Sequence, residues 1–247
     1  MTALARRALA EAVGTGLLVT SVIGSGIMAQ GLSPGDVGLQ LLENSTATAF
    51  ALIALILIMG PVSGAHFNPV VSLADWLLGR RTGDGLDGRA LLAYLPAQII
   101  GAIGGAVLAH LMFELPAVTV STHQRTGTGL WLGEIVATAG LIALIFALAR
   151  TGRAALAPPA VGAYIGAAYW FTSSTSFANP AVALGRTLTD TFAGIAPASA
   201  PGFIAAQLAG AALGLALIRL LYPAQPIPRQ AAGPEHLAAD PATAARP

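Results

Sequence analysis

The sequence predicts an all-α membrane protein with six transmembrane helices and two re-entrant half-helices, arranged as an inverted three-plus-three repeat. Three observations carry that prediction. Of 247 residues, 55% are hydrophobic and only 9% are charged, where soluble domains carry roughly a quarter charged. Six apolar runs approach the ~20 residues that a helix needs to cross a bilayer. Two Asn-Pro steps, Asn68-Pro69 and Asn179-Pro180, each precede an apolar segment too short to cross.

The first run covers about residues 9–30 and stops at the turn cluster Gly31-Leu32-Ser33-Pro34-Gly35-Asp36. Arg6-Arg7 before it resembles the start of a secretory signal, but no clear cleavage site follows, so the run reads as a retained span. The second, about 44–59, is expected to stop at Gly60-Pro61, where proline cannot continue a regular helix. After the short segment 71–78 and a polar loop at 80–89 come the third span (about 90–113), the loop 114–129, the fourth (130–149) and the fifth (157–171). The second short segment, 182–188, a loop around 194–202 and the sixth span, about 203–222, complete a membrane domain of residues 1–222, with repeats at about 5–113 and 130–222. Residues 223–247 are rich in Pro and Ala without a continuous apolar face, and are expected to form a disordered cytoplasmic tail.

Charge narrows the function classes. The net charge is +1 and all 12 basic residues are Arg, scattered without the patch or stripe that nucleic acid requires. The absence of Cys removes disulfides, thiolate metal sites and thiol nucleophiles. Three of the four His, at 110, 123 and 236, fall at span ends, in loops or in the tail, so neither a metal or cofactor site nor an enzymatic dyad is expected. Six spans put ten Arg on one side and leave Arg125 and Arg186 on the other. The positive-inside rule then makes both termini cytoplasmic.

Asn suits a helix N-cap and Pro the first helical position, because the ring fixes φ near its helical value and the missing N–H would have had no partner. Both Asn-Pro steps therefore read as half-helix starts. Three landmarks recur in order in each half: Glu11, Asn68-Pro69 and Gln98; then Glu134, Asn179-Pro180 and Gln207. With three spans per half, the second half enters from the opposite face, and the half-helices meet near the middle. Irregular backbone survives at membrane depth only where protein buries it or water reaches it, so paired dipping loops imply a water-filled path. Carbonyls of His66, Phe67, Phe177 and Ala178 are acceptors along it, and the Asn68 and Asn179 amides are donors at its centre. A hydroxylated solute exchanges its water partners for these groups in turn. Each half-helix N-terminus carries about half a positive charge, which opposes cations and hopping protons. A coupled secondary transporter shares inverted repeats but needs ion ligands at the midplane, where only Glu11 and Glu134 stand.

On Glu11, Ser63-Gly64-Ala65-His66-Phe67-Asn68-Pro69, Gln98, Glu134, Asn179-Pro180-Ala181 and Gln207, about residues 5–222 resemble the major intrinsic protein family, the aquaporins and aquaglyceroporins. The resemblance implies a passive channel for water and small uncharged solutes: glycerol-like polyols, and neutral metalloid hydroxides such as arsenite. It further implies a homotetramer in the lipid bilayer of a bacterial inner membrane. Asn68-Pro69-Val70 and Asn179-Pro180-Ala181 then mark the pore centre, and Glu11 and Glu134 brace the dipping loops in preference to relaying protons. His66 either lines the cytoplasmic half of the path or caps its loop. Gln98, Gln207 and the glycines at 101, 105, 210 and 214 read as support and close helix packing.

The family usually places an Arg three residues after the second Asn, and here that position is Val182. Ungapped matching puts the rest of the selectivity filter at Thr48, Ala167 and Ser176, while a loop gap would bring Tyr169 or Trp170 to the place of Ala167. Small side chains at three corners and Val at the fourth imply a wide, weakly polar constriction. The Asp that normally follows the filter Arg in aquaglyceroporins is also missing, at Ala183, which keeps a water-selective channel as the alternative. Arg186 supplies a filter charge if it reaches back toward the vacant place, since helical side chains lean toward the N-terminus. Otherwise it pairs with Asp190, four residues on.

Overall fold

The computed structural model describes residues 1–80 and 83–223. Apart from Pro223, the tail expected at 223–247 lies outside them, as does Arg81. Among the described residues, eight α-helices follow in order: α1 (Ala3–Leu32), α2 (Val37–Ser63), α3 (Pro69–Gly79), α4 (Gly88–Met112), α5 (Thr128–Arg150), α6 (Ala157–Phe171), α7 (Pro180–Gly185) and α8 (Ala200–Leu221). Among the described residues, α1, α2, α4, α5 and α8 are long and apolar enough to cross a bilayer. With 15 residues α6 is shorter, but it continues the 3₁₀ turn Ala154–Leu156, and together they reach about 28 Å. The short helices α3 and α7 are the two half-helices, the latter passing into a 3₁₀ turn at Arg186–Leu188.

Local chemistry sets the boundaries. Thr2, Asp36 and Asp87 accept the backbone N–H of Ala5, Leu39 and Ala90 at 3.2, 2.9 and 2.8 Å, capping α1, α2 and α4. The cap at Asp36 starts α2 seven residues before the expected residue 44 and turns Gln40 and Asn44 inward, where both are buried. At the other end, α2 continues through Pro61 to Ser63 rather than stopping at Gly60-Pro61. The proline ring already holds a helical φ, and near a helix end its missing N–H removes a single bond. Gly64 stops the helix instead, in the left-handed region at φ 90°, with its N–H on Gly60 O at 3.0 Å.

The two halves pack alike: α1 crosses α4 and α5 crosses α8, while α2 lies against α1 and α6. Glycines set those crossings. A Cβ on Gly101 or Gly105 would collide with the Ala12 or Gly16 carbonyl of α1, and one on Gly210 or Gly214 would lie 2.6 or 2.7 Å from the Ile135 or Ala139 carbonyl of α5. Backbones approach this closely only when one partner has no side chain. Thr20 Oγ1 uses the proximity to donate to Gly105 O at 3.0 Å. Gly105→Val is therefore expected to cost the ~1–3 kcal/mol typical of overpacking and to lower the unfolding temperature in detergent. Gly104→Val, where an added Cβ meets nothing within 4 Å, should leave it unchanged in the same scan.

Candidate functional site

Each half-helix is reached through a loop that no hydrogen-bonded ladder supports. Ala65 and Phe67 in the first loop, and Ser176 and Ala178 in the second, hold positive φ of 52°, 50°, 51° and 48°. Non-glycine residues pay of order 1–2 kcal/mol for that conformation, and they persist in it only where surrounding structure over-determines it. The glutamates supply the restraint. Glu11 Oε1 accepts from Ser63 Oγ (2.6 Å) and His66 N (3.0 Å), and Oε2 accepts from Phe67 N and Gln98 Nε2, both at 2.7 Å. Glu134 repeats the pattern: Oε1 accepts from Phe177 N and Oε2 from Ala178 N, each at 2.8 Å, with Gln207 Nε2 on Oε2 at 2.7 Å. Glu11, Glu134, Gln98 and Gln207 are fully buried.

Beyond each loop the Asn side chain does two jobs. Asn68 Oδ1 accepts from Val70 N at 3.1 Å, and Asn179 Oδ1 accepts from Ala181 N and Val182 N at 3.0 and 3.3 Å, capping α3 and α7. The amides then cross: Asn68 Nδ2 donates to Ala178 O and Asn179 Nδ2 to Phe67 O, both at 2.8 Å. Each loop is thereby tied to the opposite half. Each amide nitrogen carries two hydrogens, of which the crossed bond uses one, and both Asn residues line the cavity. Pro69, Val70, Pro180 and Ala181 build the first helical turns and do not face that cavity.

The cavity has a volume of about 220 Å³, between apolar side chains such as Leu18, Leu52, Ile145 and Val161 and the polar edges of the two loops. His66, Phe67, Phe177 and Ala178 all line it. Toward the α3 end, His66 Nδ1 lies 3.0 Å from Ser72 Oγ and Nε2 lies 3.7 Å from Asp75 Oδ2. Tyr94 packs edge-on against the imidazole at 5.6 Å and donates to Ser63 O at 2.7 Å, while Arg7 Nε donates to the Tyr94 hydroxyl at 2.9 Å. Asp75 and Tyr94 escaped the sequence reading, since neither belongs to a motif nor has a spacing that points to the path.

At the other end, Thr48, Ser176 and Val182 line the cavity, but Ala167 does not. Ala167 faces outward from α6, and Tyr169 takes the place, its hydroxyl donating to Thr48 Oγ1 at 3.3 Å. Two residues along a helix turn the direction by about 200°, so an ungapped match across the α6–α7 loop chose the wrong face. Trp170 also points away, donating Nε1 to Ser45 Oγ at 3.1 Å. Of the residues expected at the filter, Thr48, Ser176 and Val182 therefore line this end of the cavity together with the aromatic Tyr169, and Ala167 does not.

Arg186 faces the cavity, with its guanidinium carbon 3.4 Å from the Phe177 ring centre and its Nε donating to Ala193 O. The pairing with Asp190 does not form. Because α7 ends at Gly185, the 186–190 spacing is not that of an α-helix, and Asp190 instead accepts from Thr122 N and Thr122 Oγ1 at 2.7 and 2.9 Å. Those hydrogen bonds hold the Asp190 carboxyl below its usual range.

Long apolar helices around a cavity where two capped half-helices exchange hydrogen bonds define a membrane channel. A family model described as "Major intrinsic protein" matches residues 1–178, and the chain belongs to that family. It is 56% identical over 228 residues to an aquaglyceroporin, AqpS, of Rhizobium meliloti (strain 1021), covering 92% of this chain and 95% of that protein. It is 32% identical over 267 residues to a glycerol uptake facilitator protein of Pseudomonas aeruginosa, covering 92% of each. The X-ray structure of the aquaglyceroporin from Plasmodium falciparum superposes with a TM-score of 0.65 at 19% identity, over 87% of this chain and 95% of that one, and shows the same fold. The protein is a multi-pass membrane channel and not an enzyme.

Each Glu11 oxygen accepts two hydrogen bonds, so the amide nitrogen of Glu11→Gln leaves at least one backbone N–H of the loop without its partner, at about 1–3 kcal/mol. The variant should unfold at lower temperature in detergent and conduct less in proteoliposomes at equal protein density, as stopped-flow light scattering would read.

Proposed function

We propose that the protein is a passive channel for water and small uncharged solutes, chiefly glycerol-like polyols, with neutral metalloid hydroxides such as arsenite also admitted. The observation that carries this is the crossed Asn68–Asn179 arrangement inside a largely apolar cavity. A triol entering it finds amide donors on one side and hydrocarbon on the rest, which suits a molecule with one hydroxylated edge and one CH edge. The aquaglyceroporin and the glycerol uptake facilitator among the relatives support the same solute class. Thr48, Ser176, Tyr169 and Val182 form the selectivity filter on this reading, with Arg186 supplying the charge missing at Val182. Glu11, Glu134, Gln98 and Gln207 brace the loops. Tyr169 favours one rival, a water-selective pore, because its ring occupies a corner that small side chains would leave open.

Residues 1–222 form the channel domain in this proposal, in a bacterial inner membrane, with partners limited to the bilayer, its solutes and three further copies in a homotetramer. Arg6, Arg7, Arg80, Arg89, Arg150, Arg153 and Arg219 lie at helix ends of one side of the six-span layout, which supports cytoplasmic termini. Proteoliposomes should pass both water and glycerol, and water flux alone would sink the polyol assignment. Val182→Arg should cut glycerol permeability about tenfold, the size of one narrowed, charged contact, while water flux falls much less. Tyr169→Ala should raise the glycerol-to-water ratio in the same stopped-flow assay.

A further inference from the structure

The outer end of the cavity holds positive charge without an anionic partner. Arg186, 2% exposed, lies against Phe177 at 3.4 Å, and Arg125, from the loop between α4 and α5, lies 5.4 Å from the same ring centre. Three successive carbonyls hold the pair: Phe192 O and Gly194 O accept from Arg125 Nη2 and Nε at 3.4 and 2.8 Å, and Ala193 O accepts from Arg186 Nε. Carbonyl dipoles and the ring face offset part of the cost of placing two like charges together. Neither supplies a countercharge. Among the described residues the ion pairs within 4.0 Å are His66–Asp75 and His123–Asp190, so neither guanidinium has a carboxylate partner. Glu134, behind Phe177, has its oxygens committed to the loop and Gln207, and Asp190 is committed to Thr122.

A second, independent feature points to a ligand. Ser176 Oγ, on a residue 3% exposed that lines the same cavity, has no hydrogen-bond partner. A buried hydroxyl without a partner is uncommon and calls for one. We propose that the outer mouth is a binding site for a small singly charged oxyanion. The N–H groups of Arg186 not used on Ala193 and the hydroxyl of Ser176 contact the anion, and Arg125 contributes the second positive charge from behind Phe177. A planar carboxylate or similar oxyanion matches the guanidinium fork, and its charge supplies what the site lacks. Such an anion sits in the entry path, so it competes with neutral solutes arriving from that side. This rests on the cavity being the permeation path.

The test uses the full chain in proteoliposomes, with sodium formate or sodium gluconate balanced on both sides at equal ionic strength and neutral pH, and glycerol efflux as the readout. Formate should slow glycerol efflux about threefold relative to gluconate, while formamide, of similar size but uncharged, should not. Arg186→Gln and, independently, Arg125→Gln should weaken the formate effect about tenfold in concentration, each judged by its own ratio with and without formate. Arg153→Gln, at the opposite end, should behave as the parent chain does. Glycerol efflux insensitive to formate, or equally sensitive in both arginine variants, overturns the anion site. No flux of water or glycerol from the parent chain overturns the channel reading itself, and calorimetric titration of formate into nanodisc-embedded protein then tests the site alone: binding lost in Arg186→Gln supports it, and no binding overturns it.

Discussion

The structure depends on one constraint: backbone that leaves helical geometry inside a membrane must find all its partners within the protein. Two buried carboxylates meet it. Glu11 and Glu134 gather the N–H groups of His66 and Phe67, and of Phe177 and Ala178, and each is backed by a glutamine from the third long helix of its half. A neutral side chain would serve poorly, because each carboxylate receives at least three donors and an amide oxygen offers fewer acceptor sites. With the N–H groups satisfied on one side, the chain can hold its left-handed turns and face the cavity on the other.

The same logic explains why the halves cannot work apart. Asn68 is capped to its own half-helix but donates to Ala178 O, and Asn179 donates to Phe67 O. Central donors are therefore positioned by contacts that exist only when both loops are in place. The glycine-mediated α1–α4 and α5–α8 crossings hold each glutamate against its loop, so packing at the rim and geometry at the centre are one problem. A rigid centre suits passive transport, in which selectivity comes from fixed dipoles and width rather than from a moving gate.

Charge is distributed unevenly along the path. Two guanidiniums lie near Phe177 at one end, and at the other His66 lies 3.7 Å from Asp75. The middle carries only amides, carbonyls and helix ends. The dipole is weaker for α7, with six α-helical residues, than for α3, with eleven, so the central positive potential leans on α3. Solutes consequently meet different electrostatics on entry and on exit, although the backbone repeats.

The sequence by itself determined the number and order of the spans, the two half-helix starts and the inverted repeat, because each is encoded locally: apolar run length, Asn-Pro capping chemistry, and landmarks recurring in order; the ends of α2 and the contacts of Glu11 and Glu134 needed the tertiary structure. Val182 also lines the cavity as expected, since counting forward from Asn179 crosses no gap. What the sequence left open lay across loops. Tyr169 rather than Ala167 faces the cavity because loop length sets the register between α6 and α7, and one helical face differs from the next by only a residue or two. Arg186 turned toward Phe177 rather than Asp190 because α7 stops a residue before it. Asp75, Tyr94 and Arg125 carry no motif, and only the tertiary structure brought Asp75 to the cavity wall, Tyr94 against His66 and Arg125 against Phe177. The sequence established that a path exists, and the assembled loops decided what lines its ends.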